Sequence, residues 1–94
     1  MDTYRIAIDT FVRETFECTA SVCAIFTGAD IAFQDVQLHT RRDKTELHLI
    51  AGSTMLSVPL ASVLSIEKLV FPDIHTIEYE ISTKEGGTIT VDIF

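Results

Sequence analysis

The stretch Glu46-Leu47-His48-Leu49-Ile50-Ala51-Gly52-Ser53-Thr54-Met55-Leu56-Ser57-Val58-Pro59 decides how the chain is read. Leu47, Leu49 and Ala51 recur every second residue, the period of a strand with one buried face. Gly52-Ser53 is a two-residue loop with glycine first, which suits a type II′ hairpin turn. That turn sets Leu49 opposite Leu56 and Leu47 opposite Val58, so one face of the hairpin is apolar across both strands. Pro59 has no amide hydrogen to give to a ladder and ends the second strand.

The same pattern extends upstream. Phe16, Cys18, Ala20, Val22, Ala24 and Phe26 share one parity, and Thr27-Gly28-Ala29-Asp30 reads as a turn with Gly28 free to take a positive φ. Ile31 and Phe33 follow in one phase and Val36 and Leu38 in the other. The slip at Gln34-Asp35 indicates a β-bulge. A charged turn at Arg41-Arg42-Asp43-Lys44 would set Thr40 opposite Thr45, Leu38 opposite Leu47 and Val36 opposite Leu49.

Downstream, Val63 to Phe71 forms the next strand, with Leu64, Ile66 and Val70 on one side, and Pro72-Asp73 is a turn. Ile77, Tyr79 and Ile81 alternate with Glu78, Glu80 and Ser82. Lys84-Glu85-Gly86 fits a three-residue hairpin loop with Gly86 left-handed. It pairs Ile81 with Ile89, Tyr79 with Val91 and Ile77 with Ile93, and sets Glu78 against Asp92 on the wet side. Residues 16–94 thus read as seven strands, four before Pro59 and three after. Residues 1–15 carry two patterns. Tyr4, Ile8, Phe11 and Val12 have helical spacing with Thr3 as a cap, while Tyr4, Ile6 and Ile8 alternate as a strand, the reading preferred here. The expected core is Phe16, Val22, Phe33, Leu38, Leu47, Leu49, Leu56, Ile66, Tyr79, Ile81, Ile89 and Val91.

Composition narrows the function classes. Ninety-four residues make one domain, 1–94, and a hydrophobic share of 47% can fill its core. Seven Lys and Arg against fourteen Asp and Glu leave a net charge of −7, the wrong sign for a nucleic-acid binder or for charge-driven docking on anionic membranes. No apolar run approaches the roughly 20 residues of a membrane span, and Met1-Asp2-Thr3-Tyr4-Arg5 does not open a secretory signal. A cytoplasmic setting is expected.

The motif Glu46-Leu47-His48-Leu49-Ile50-Ala51 followed by Leu56-Ser57-Val58-Pro59-Leu60-Ala61-Ser62-Val63-Leu64-Ser65-Ile66-Glu67 resembles the pattern of GRAM and bacterial pleckstrin-homology-like (PH-like) domains. A similar arrangement occurs in archaeal taxis adaptor proteins. The resemblance implies an all-β, seven- to eight-stranded antiparallel meander forming a PH-like split barrel or sandwich. That family closes its barrel with a C-terminal helix, whereas the last strand here runs to Phe94. The open end is then left to residues 1–15 or to a partner chain.

Few residues point to chemistry. Cys18 and Cys23 lie in one strand on opposite faces, which excludes a disulfide between them and fits a reducing compartment. His39, Glu46 and His48 share the outer face in the register above. They read as a solvated polar surface rather than a metal site, because such sites favour concave pockets. No nucleophile elbow, phosphate loop or calcium loop is present, and no catalytic, cofactor or metal residue is assigned. Arg41, Arg42 and Lys44 form the one basic cluster, at a hairpin tip. Phosphoinositide binding is not expected, since the resembled lipid binders use basic residues in the first hairpin turn, here Thr27-Gly28-Ala29-Asp30. The expected role is a non-catalytic protein–protein adaptor, alone or within a larger signalling protein, with a small-ligand β-barrel as the alternative. The expected contact residues are Tyr79, Val91, Ile93 and Phe94 around an uncovered end, together with Arg41, Arg42 and Lys44. A homodimer or a protein partner is the expected consequence.

Overall fold

The alternation becomes eight antiparallel strands in one sheet. The structure is a computed structural model describing residues 2–26 and 29–93. In chain order the elements are β1 (Asp2–Ile6), α1 (Ile8–Thr15), β2 (Glu17–Phe26), β3 (Ala29–Arg42), β4 (Glu46–Ala51), β5 (Thr54–Pro59), β6 (Val63–Phe71), β7 (Thr76–Thr83) and β8 (Thr88–Ile93). Single 3-10 turns at Leu60–Ser62 and Pro72–Ile74 join β5 to β6 and β6 to β7. The strand order is β1-β6-β7-β8-β2-β3-β4-β5. A flat sheet of this width, with strands about 4.8 Å apart, would be thin in one direction. The Cα extents are instead 34 × 27 × 26 Å, so the sheet is curled around its apolar face without closing into a barrel. It is one continuous sheet, where a sandwich would need two.

Two of the expected hairpins hold residue for residue. Leu47 pairs with Val58 and Leu49 with Leu56 across Gly52, whose φ is +63°. Ile77, Tyr79 and Ile81 pair with Ile93, Val91 and Ile89, with Gly86 at φ +83°. The bulge also stands: Ala20 faces Val36 and Val22 faces Phe33, so Gln34 and Asp35 together oppose Ser21, and Asp35 adopts φ +51°. The expected turn at Thr27-Gly28-Ala29-Asp30 includes residues outside those described.

The β3–β4 register differs. Thr40 pairs with Leu49, not Thr45, and Leu38 pairs with Ala51, not Leu47. The slip is four residues, so parity and buried face are kept, and matching apolar side chains cannot tell the two registers apart. The turn chemistry decides it. Asp43 Oδ1 accepts hydrogen bonds from the backbone N–H of Thr45 and of Glu46, both at 2.8 Å, and Asp43 N–H donates to Glu46 O at 3.0 Å. This Asx-type turn lies two residues beyond the expected one and carries β3 on to Arg42.

Residues 2–15 satisfy both of their sequence patterns in succession. β1 runs to Ile6 and pairs with β6, and α1 starts at Ile8 after an Ala7 that makes no side-chain cap. Thr3, the cap of the helical alternative, is inside β1. Asp9 in the first turn of α1 and Arg13 in the last complement the helix dipole. At the C-terminal end, Thr15 Oγ1 donates back to Phe11 O at 2.7 Å, and Thr40 Oγ1 donates to Val12 O, one of the last-turn carbonyls, at 3.3 Å. Thr15 and Thr40 are buried, with their hydroxyls 2.9 Å apart.

The helix lies over the apolar face. Phe11, fully buried, meets the Tyr79 ring edge-to-face at a centroid distance of 5.3 Å. The expected uncovered end is therefore covered. Tyr79 and Val91 are buried, Ile77 and Ile93 are half-buried, and Phe94 lies outside the described residues. β8 is an inner strand, between β7 and β2. Four further residues depart from expectation. Phe16 ends the helix and is 49% exposed rather than core. Leu64 occupies a bulge between the Val63 and Ser65 pairings and turns outward, 61% exposed. Phe33 and Leu56 pack against the core while remaining half-buried.

Leu49 stands where β3, β4 and β5 meet, 2% exposed. Leu49→Ala is expected to lower the unfolding free energy by about 2–5 kcal/mol in urea denaturation. A change below about 1 kcal/mol would mean that this face is not the core.

Candidate functional site

Three surface regions carry chemistry. The first is the β3–β4 hairpin tip, where Arg41, Arg42, Asp43 and His48 line a cleft of about 330 Å³. The expected basic cluster does lie here, but its charges are not equivalent. Arg42 Nη1 bonds Asp9 Oδ1 of α1 at 3.1 Å, and Arg42 Nε donates to Asp43 O at 3.2 Å, so this guanidinium ties the tip to the helix. Arg41, paired across the ladder with His48, and Lys44 are exposed. Asp43 sits well placed as an anion: hydrogen bonds from the Thr45 and Glu46 amides hold its carboxyl below the usual range.

The expected grouping of His39, Glu46 and His48 splits. With the register moved by four residues, His39 faces Glu17 and Ile50; its Nδ1 is 4.0 Å from Glu17 Oε1 and its ring lies 4.6 Å from that of Phe16. His48 and Glu46 stay together, and Asp43 joins them. His48 Nε2 is 3.8 Å from Glu46 Oε1 and 4.0 Å from Asp43 Oδ2. His48 is only 8% exposed, and its Nδ1 is buried with no hydrogen-bond partner among the described residues. The sequence signal that could have placed Asp43 here is its own turn, an Asp followed by amides two and three residues on.

The second region is the free edge of the sheet. β1 pairs with β6 alone and stands at the end of the strand order. Next to it Val70, Phe71, Pro72, His75, Thr76 and Ile77 line an apolar cleft of about 310 Å³, and Val70 is the ladder partner of Asp2. Tyr4, in the middle of β1, is 52% exposed. Of the expected contact residues, Ile93 pairs with Ile77 beside this cleft, whereas Tyr79 and Val91 are beneath the helix. The cysteines fall on opposite faces as expected, Cys18 half-buried with its thiol pushed up by burial and Cys23 exposed.

The third region is acidic. On the outer face Glu78 pairs with Asp92 and Glu67 with Glu80 across neighbouring strands. Partial burial first, then the hydrogen bond and charge of Asp92 and the charge of Glu80, push Glu78 up to about 7.

Comparison with known proteins assigns none of these regions: no family model, no curated protein and no solved structure matches the chain.

Glu78 gives a pH test. Its folded-state value lies above the 4.5 of an unperturbed carboxyl, so the native state holds more protons in between and stability falls as pH rises from about 4.5 to about 7. Glu78→Gln removes this repulsion. The variant is expected to melt above the parent at pH 8 and to lose that advantage at pH 4. An equal offset at both pH values would show that Glu78 is not strained by Asp92.

Proposed function

We propose that the chain is a non-catalytic protein-interaction module, an adaptor of PH-like type working in the cytoplasm, and that it receives an extended segment of a partner protein along β1. The observation that carries this reading is the unpaired edge of β1 at the end of the strand order. An edge strand offers a row of free N–H and C=O groups that a partner strand can complete. Half-exposed Tyr4, in the middle of β1, adds aromatic surface to this edge. The opposite edge, β5, ends in Pro59, a residue that blunts strand addition.

The alternative of a small-ligand barrel finds less support. Phe11 and Tyr79 are both buried in the space that such a barrel would keep open. Two unpaired thiols, Cys18 and Cys23, agree with a reducing cytoplasmic setting.

Linear peptides selected from a displayed library against the full chain provide the test. Bound peptides are expected to slow amide exchange in residues 2–6, and Tyr4→Ser, on an exposed position, should weaken them about tenfold, or 1.4 kcal/mol. A doubled mass in light scattering that Tyr4→Ser abolishes would assign the edge to a second copy of the chain. Protection confined to β5 or to the hairpin tip, or no selected peptide at all, would overturn the β1 reading.

A further inference from the structure

We infer that Asp43, Glu46 and His48 form a binding site for a divalent transition-metal ion, independent of the β1 edge. Their ligand atoms all lie within 4.8 Å of one another. The separations from His48 Nε2, 3.8 Å to Glu46 Oε1 and 4.0 Å to Asp43 Oδ2, are too long for hydrogen bonds. Donors sharing one tetrahedral ion, at bonds of about 2.0–2.2 Å, stand about 3.3–3.6 Å apart, so an ion need draw these side chains together only by a few tenths of an ångström.

The histidine supplies the independent argument. An imidazole that is 8% exposed would ordinarily be tied by hydrogen bonds, yet Nδ1 has no partner and Nε2 faces two carboxylates at non-bonding distance. A cation between Nε2 and the carboxylates gives Nε2 a bonding partner, while Nδ1, on the other edge of the ring, lies outside its reach. The carboxylates are held ready for it. Asp43 Oδ1 is occupied by the Thr45 and Glu46 amides and the Thr45 hydroxyl, at 2.8, 2.8 and 3.2 Å, which leaves Oδ2 toward His48. Glu46 and His48 are two apart on β4, so their side chains share a face.

One imidazole nitrogen and two carboxylate oxygens suit ions of the zinc, cobalt and manganese class better than calcium or magnesium, which prefer all-oxygen sites. Three protein ligands leave at least one coordination position for water or an anion. Two of the three ligands, Asp43 and His48, also line the cleft shared with Arg41 and Arg42. Arg42 is already paired with Asp9, which lessens its repulsion of a cation.

The test is a titration of the full chain with Co(II), followed by visible absorption, in the parent and in Cys23→Ser to remove the exposed thiol as a competitor. One equivalent is expected to bind with d–d bands and no thiolate charge-transfer intensity. Cys23→Ser and Glu17→Gln should bind as the parent does. His48→Gln and Asp43→Asn should each weaken binding at least about tenfold, since even residues that only support a ligand contribute that much. Asp43→Asn keeps the turn's acceptor oxygen and so reports on the ion even if His48→Gln fails to fold. No binding by the parent, parent-like binding by Asp43→Asn, or a signal that vanishes with Cys23→Ser would overturn the site.

Discussion

Glu14 Oε1 accepts the Tyr79 hydroxyl at 2.6 Å and the Lys68 ammonium at 2.7 Å, and one helical turn away Phe11 presses on the Tyr79 ring. This contact between α1 and the β6–β7 hairpin is what the remaining structure depends on. Lys68 and Tyr79 are ladder partners on the apolar face, where a buried phenol and a half-buried ammonium need polar partners that no strand supplies. One carboxylate serves both. The hydrogen bonds from Lys68 and Tyr79 hold Glu14 low, while burial and the hydrogen bond to Glu14 push the Tyr79 phenol up, so the ionised acid and neutral phenol fit each other. An eight-residue helix has no stability of its own in water. It exists because Phe11 is buried at one end of its contact and Thr40 holds its last carbonyls at the other.

The same contact explains the arrangement of the surfaces. With the curled sheet filled from within, Tyr79 and Val91 are structural residues. What stays accessible is the free edge of β1, the cleft beside it, the outer acidic face and the β3–β4 tip. The tip is tied to the helix, because Arg42 bonds Asp9 and Thr40, held beside the helix by the β2–β3 pairing, donates to Val12 O. Moving the β3–β4 register by four residues would put Asp43 in a different turn, so the cluster of Asp43, Glu46 and His48 follows from the Asx turn.

Most of the sheet is legible in the sequence because alternation and short turns constrain each other. Gly52 and Gly86 fix loops of known length, and only one register then joins apolar to apolar. The β3–β4 hairpin escapes this logic, since a slip of an even number of residues leaves every side chain on its own face and only the Asx turn at Asp43 discriminates. Residues 2–15 escape it for another reason. Tyr4 and Ile6 obey a period of two, Ile8, Phe11 and Val12 a helical period, and the boundary at Ala7 carries no capping residue to announce it. The metal-ligand cluster was half visible: His48 and Glu46 are two apart on any register, but their third member depends on the turn. His39 joins them only in the other register and here faces Ile50.

The covering of the apolar face by α1 is most directly tested by Phe11→Ala. Urea denaturation followed by circular dichroism is the measurement, because the sheet and not the short helix dominates its signal. The account predicts that the whole sheet loses about 3–5 kcal/mol in one cooperative transition, as expected for a fully buried phenylalanine. A sheet whose unfolding is unchanged by Phe11→Ala, within about 0.5 kcal/mol, would show that α1 lies outside the core and that the strands hold their interior without it.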